Sequence, residues 1–133
     1  FAGDGLMVFF NDPIPCPEPA LAAVRMAVAL QERMAALIGA WRRRGHDLGL
    51  GVGITFGYAT LGQIGFEGRY DYGAIGSVVN LASRLSDEAR SGQVLIDRRT
   101  RAALGDAAEV DPIGPLSLKG YSQPVGAFVL KRL

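Results

Sequence analysis

Ala23, Met26, Ala27, Leu30, Met34, Leu37 and Trp41 recur at helical spacing, and a helix with one apolar stripe this long needs a surface to lie on. Pro19 suits the first turn of this helix. Arg42, Arg43 and Arg44 fall where a helix C-terminus favours positive charge, and Gly45 ends the run. The residues beyond Gly45 predict a sheet as that surface. Leu48, Leu50, Val52 and Ile54 alternate as in a strand over residues 48–55, and residues 58–64 read as the next strand, with Gly57 as the turn between them. Residues 65–73 read as a glycine-containing loop. A second helix then carries Val78, Leu81, Ala82, Leu85 and Ala89 on its apolar face. A strand is expected over residues 93–96, a short helix over 98–104, and two closing strands over 109–118 and 126–130, joined through Lys119-Gly120-Tyr121. At the other end, Gly3-Asp4-Gly5 reads as a hairpin turn followed by a buried strand over residues 6–10, and the four prolines of residues 11–19 demand an extended connection.

Helices and strands alternate, yet several neighbouring strands are joined by tight turns. This predicts an α+β fold, a two-layer, ferredoxin-like sandwich with a mostly antiparallel sheet and helices on one face. At 133 residues the chain suits a single domain, 1–133, with one core. The net charge of +1 gives no whole-molecule field that would favour a nucleic acid or a membrane surface. The arginine run at residues 42–44 has a nucleic-acid reading as well, but no interleaved aromatics accompany it. Cys16 is the lone cysteine, which excludes an internal disulfide and suits a reducing cytoplasm. No membrane span is expected, because Arg25, Gln31, Glu32 and Arg33 break the most apolar long stretch. His46 follows a glycine with no second ligand type at metal-binding spacing, and reads as a solvated loop residue. The chain opens on Phe1 within an apolar pattern and reads as a fragment of a longer protein.

Three positions could carry chemistry. Asp4 is either an ordinary Asp-Gly turn residue or a carboxylate that ligates Mg²⁺ from a hairpin tip. Asn80 and Arg84 lie four apart on one helical stripe, about 100° from the Leu81 and Leu85 face. They form either a solvated helix face or an arginine that reaches a phosphate, helped by an amide that orients a neighbouring polar group. The glycines at positions 57, 62, 65, 68, 73 and 76 allow close approach of a ligand or a second chain, and equally allow tight turns.

The longer pattern adds to this. "FAGDGLMVFF", "GVGITFGYATLGQIG", "RYDYGAIGSVVNLASRL", "GQVLID" and "LKGYSQPVGAFVL" occur in this order. Together they resemble the C-terminal two-thirds of the class III nucleotidyl cyclase catalytic domain, of the bacterial adenylate/guanylate cyclase type; residues 76–85, "GSVVNLASRL", are the most specific part. The resemblance implies formation of a 3′,5′-cyclic nucleotide and pyrophosphate, with cAMP from ATP as the family-level expectation and GTP as the alternative substrate. It implies two Mg²⁺ or Mn²⁺ ions per site, Asp4 as one metal ligand, Asn80 as the residue that positions the ribose, and Arg84 as the group that stabilises charge on the α-phosphate. It also implies a homodimer with composite sites, Asp4 supplied by one chain and Asn80 and Arg84 by the other. A first metal aspartate and a base-reading lysine are expected upstream of Phe1, so this fragment by itself is expected to be inactive and to assemble weakly. The second base-reading position falls on Gly73, which has no side chain to read a purine. That departure keeps open a degenerate cyclase-like module that binds nucleotide or a partner without chemistry. Asp71, between Tyr70 and Tyr72, reads as structural. A ferredoxin-like RNA-binding domain ranks last, since "TLGQIGF" lacks the aromatic and basic positions it needs.

Overall fold

The computed structural model describes residues 5–11, 14–46, 48–66 and 69–133, and the side chains of all these except residues 63–66 and 69–74. In chain order the elements are α1 (Pro19–Arg43), β1 (Val52–Ile54), β2 (Thr60–Phe66), β3 (Arg69–Ile75), α2 (Ser77–Glu88), β4 (Val94–Asp97), α3 (Arg98–Leu104), a 3₁₀ turn at Gly105–Ala107, β5 (Glu109–Leu116) and β6 (Val125–Arg132). Four strands form one sheet in the order β1-β4-β6-β5. β1 and β4 are parallel and the other pairs antiparallel, while β2 and β3 form a separate antiparallel hairpin. The architecture is α+β with a mostly antiparallel sheet, as expected.

β4 explains the layering. All four of its residues are buried, as a central strand covered on both sides must be. Successive side chains of a strand point to opposite faces. Val94 and Ile96 therefore join Ala20, Val24 and Ala27 of α1 and Leu104 of α3, with Val52, Ile54, Phe128 and Leu130 packed around them. Leu95 points the other way, into a second cluster with Leu85 of α2, Leu118 and Ala127. So α1 and α3 share one face, as the one-sided sandwich expected, and α2 covers the opposite face. The sheet is sandwiched because its central strand β4 is apolar on both sides.

α1 is 25 residues long, about 37 Å, and outruns the sheet. Its buried residues are Ala20, Ala23, Val24 and Ala27. Gln31 donates from Nε2 to the carbonyls of Leu50 (2.9 Å) and Gln93 (3.1 Å), just before β1 and β4 begin. Past that point the apolar stripe has less to cover it, and Leu37 is exposed. No helix among the described residues is long and apolar enough to cross a membrane.

Two local expectations give way. Residues 69–75, read as mostly loop, form β3 and pair along their whole length with β2, from Thr60–Ile75 to Phe66–Arg69. Arg69, Asp71 and Gly73 interrupt the strand-favouring residues of this segment, and the ladder with β2 supplies the pairing. Residues 6–10, read as a buried strand, are not assigned as one. Leu6, Met7 and Val8 are exposed, because no strand among the described residues pairs with them.

α3 is short and depends on its cap. Asp97 Oδ1 accepts from the backbone N–H of Thr100 at 2.9 Å and from its hydroxyl at 2.5 Å, with both residues buried. Replacing a cap of this kind costs about 1–2 kcal/mol, so Asp97→Ala is expected to lower the urea midpoint by that equivalent with an unchanged slope.

Candidate functional site

The candidate site is built on α2. Gly76 precedes the helix with φ +155°, a conformation that only glycine adopts without strain. Its carbonyl accepts from the N–H groups of Val79 (3.1 Å) and Asn80 (3.2 Å), which starts the helix without a side-chain cap. The first turn is then tied down from two sides. Thr55, next after β1, donates its hydroxyl to the carbonyl of Val78 at 2.6 Å, and the Tyr121 hydroxyl donates to the carbonyl of Ser77 at 3.4 Å. Leu85, fully buried, anchors the middle of the helix.

β1 comes unusually close to this helix. A Cβ on Gly53 would lie 2.5 Å from the Ala82 carbonyl oxygen and the Ser86 nitrogen, and 2.8 Å from Leu85 Cβ. A Cβ on Gly51 would lie 2.8 Å from the Ala89 carbonyl oxygen. These glycines share one strand face by the period of two, and the missing side chains let the helix backbone rest on the strand.

Asn80 and Arg84 ride on the outer stripe of this anchored helix. Asn80 is exposed. Arg84 is partly exposed, and its Nη1 lies 3.7 Å from Asp87 Oδ2 one turn on. A surface pair at that range contributes at most about 0.2–0.5 kcal/mol, so the guanidinium is free to exchange Asp87 for a stronger anion. Two clefts, of about 220 and 280 Å³, lie at Pro17–Leu21 against the α3 end and between the α2 end and β5, and neither includes Asn80 or Arg84. Among the described residues, the stripe is accessible to solvent.

Of the residues singled out from sequence, Asn80 and Arg84 are brought together. Gly73 lies in β3, paired with Gly62 of β2 and three residues before Gly76. Asp4 lies outside the described residues. Among the described residues no cluster of three or more His, Cys, Asp or Glu side chains could hold a metal ion. Thr55 and Tyr121 are not legible from sequence as site residues, since nothing in a strand-end threonine or a turn tyrosine reveals which carbonyl it meets.

The family described as the adenylate and guanylate cyclase catalytic domain matches residues 1–132. The chain belongs to this family. Among curated relatives of this cyclase-type domain, adenylate cyclase 1 of Rhizobium meliloti is 33% identical over 125 residues, which covers 92% of this chain and 19% of that protein. Among solved structures, the adenylyl cyclase CyaB from P. aeruginosa superposes with a TM-score of 0.82 at 35% identity, covering 92% of this chain and 64% of that one. The guanylyl cyclase Cya2 superposes with a TM-score of 0.80 at 30% identity, covering 93% and 64%. The cyclase-family chain thus spans less than two thirds of the solved relatives and about a fifth of the curated one. An adenylyl and a guanylyl cyclase are matched almost equally well, so overall likeness does not choose a purine.

Proposed function

We propose that this domain, within its parent chain, converts a nucleoside triphosphate into a 3′,5′-cyclic nucleotide and pyrophosphate for signalling, with ATP the first expectation and GTP the alternative. The ribose 3′-hydroxyl gives up its proton to solvent and its oxygen bonds to the α-phosphorus. The bond from the α-phosphorus to the oxygen bridging to the β-phosphorus breaks, and pyrophosphate leaves. The observation that carries this reading is the pairing of Asn80 and Arg84 on one accessible stripe of a rigidly seated helix, inside a chain of the cyclase family. Asn80 holds the ribose by its amide. Arg84 offers a planar, permanently charged fork to the α-phosphate as negative charge builds there.

Mg²⁺ or Mn²⁺, two ions per site, belongs to this reading, with Asp4 as the chain's candidate ligand. The described residues hold no set that fits an ion by itself, so the steps assigned to this chain are those of its own amide and guanidinium. A solvent-accessible stripe suits a site completed by a second copy, in a homodimer with composite sites in the cytoplasm. No nucleic acid enters this reading.

The test is a cyclase assay on the parent chain with ATP and with GTP in the presence of Mn²⁺, reading cyclic product and pyrophosphate. Product from either nucleotide is expected. Gly73, which offers no side chain at the base-reading position, favours a second reading, a degenerate module that binds nucleotide without turnover. Binding with no product from either nucleotide would select it. The composite site has its own test. Parent chains carrying Asp4→Ala and Arg84→Ala, each inactive alone, are expected to recover about a quarter of native activity when mixed equally, because half the dimers are mixed and each has one intact site. No recovery on mixing, with dimers demonstrably exchanging, would refute a site shared between chains.

A further inference from the structure

We infer that Thr55 is a positioning residue for Asn80 and Arg84, an inference that rests on the proposed cyclase reading for its kinetic consequence but not for its geometry. Three observations meet at this residue. First, α2 starts without a side-chain cap: Gly76 contributes only its carbonyl to the first turn. Second, the 2.6 Å bond from the Thr55 hydroxyl to the Val78 carbonyl is the shortest side-chain contact to that turn among the described residues, the Tyr121 contact being 3.4 Å and exposed. Third, Thr55 directly follows Ile54, whose strand is the one that α2 rests on.

Val78 lies two residues before Asn80 and six before Arg84, on the same rigid helix. The apolar face, through Leu85 and Gly53, sets how far α2 stands from the sheet. Apolar packing is non-directional, and it leaves sliding and rotation of the first turn weakly determined. A directional bond to a carbonyl determines both. The Val78 carbonyl has two lone pairs, one for the helix ladder and one for Thr55, so the contact adds to the helix without competing with it. Thr55 has no assigned contact with substrate. It sets where the amide of Asn80 and the guanidinium of Arg84 stand when the substrate arrives.

The experiment uses the parent chain with Thr55→Val, which keeps the shape and removes the donor, and Thr55→Ser, which keeps the donor. Thr55→Val is expected to lower kcat roughly ten- to a hundred-fold, as misplacement of positioned groups does, with KM changed less than about threefold. Thr55→Ser is expected to stay within about threefold of native kcat. Hydrogen exchange is read on the same preparations. Amides of residues 79–84 are expected to exchange faster in Thr55→Val than in native protein, and to return toward native in Thr55→Ser, with β4 and α3 amides unmoved.

Native kcat in Thr55→Val would overturn the inference. So would equal kcat loss in Val and Ser variants, which would assign the effect to packing, or exchange that rises evenly across the whole domain. Should the native parent make no cyclic product, the cyclase reading falls, and the exchange pattern of the two variants alone decides whether Thr55 holds the first turn. Should Thr55→Val fail to fold, native kcat and exchange in Thr55→Ser would support a role of the hydroxyl, and loss in it would refute one.

Discussion

Arg84→Ala in the parent chain is expected to lower kcat for cyclic nucleotide formation by about 10²–10³-fold, or about 3–4 kcal/mol in the barrier, the usual cost of removing a preorganised charge from a site of developing negative charge. Stability should hardly move. Arg84 is partly exposed, and its contact with Asp87 spans 3.7 Å between two solvated groups. Its loss costs at most a few tenths of a kcal/mol. The melting temperature of the variant is therefore expected to match the native protein, which separates a chemical role from a structural one. Arg84→Lys should recover only part of the rate, because an ammonium is a point charge and cannot offer two parallel donors to one phosphate. Native turnover in Arg84→Ala would mean that the stripe is a solvated face after all.

Gly53→Val is expected to be the most damaging substitution outside the candidate site. Its Cβ would enter at 2.5 Å from both the Ala82 carbonyl oxygen and the Ser86 nitrogen. Those are backbone atoms of α2, and no rotamer change can clear them. Either β1 shifts away from β4, or α2 lifts off the sheet and opens the cluster around Leu85, Leu95 and Ala127. Overpacking of this kind costs about 1–3 kcal/mol and at times more, against a total stability of only ~5–15 kcal/mol. The expected readout is a lower urea midpoint, or failure to accumulate folded protein. Any folded variant is also expected to lose cyclase activity, since Asn80 and Arg84 move with the helix. Native stability in Gly53→Val would show that the backbone of α2 does not rest on β1.

The two helices that matter most are legible in the sequence because helix periodicity is local. The stripe of α1 and the apolar face of α2 can be counted off the residues, and so can the placement of Asn80 and Arg84 beside that face. The far end of α1 misleads, because Leu37 continues the apolar period past the point where Gln31 meets the ends of β1 and β4. β3 stays hidden, because two charges and a glycine among its seven residues weaken the strand signal, and the ladder with β2 supplies the pairing.

From residues alone come the α+β class, the family resemblance and the stripe that pairs an amide with a guanidinium. Tertiary structure alone decides that α2 lies on the opposite face from α1 and α3, that Gly53 is the floor under it, and that Thr55 holds its first turn. Periodicity says that a helix has a face to bury. Which sheet face receives it depends on atoms far away in sequence, here the alternation of Val94, Leu95 and Ile96 along a strand buried on both sides.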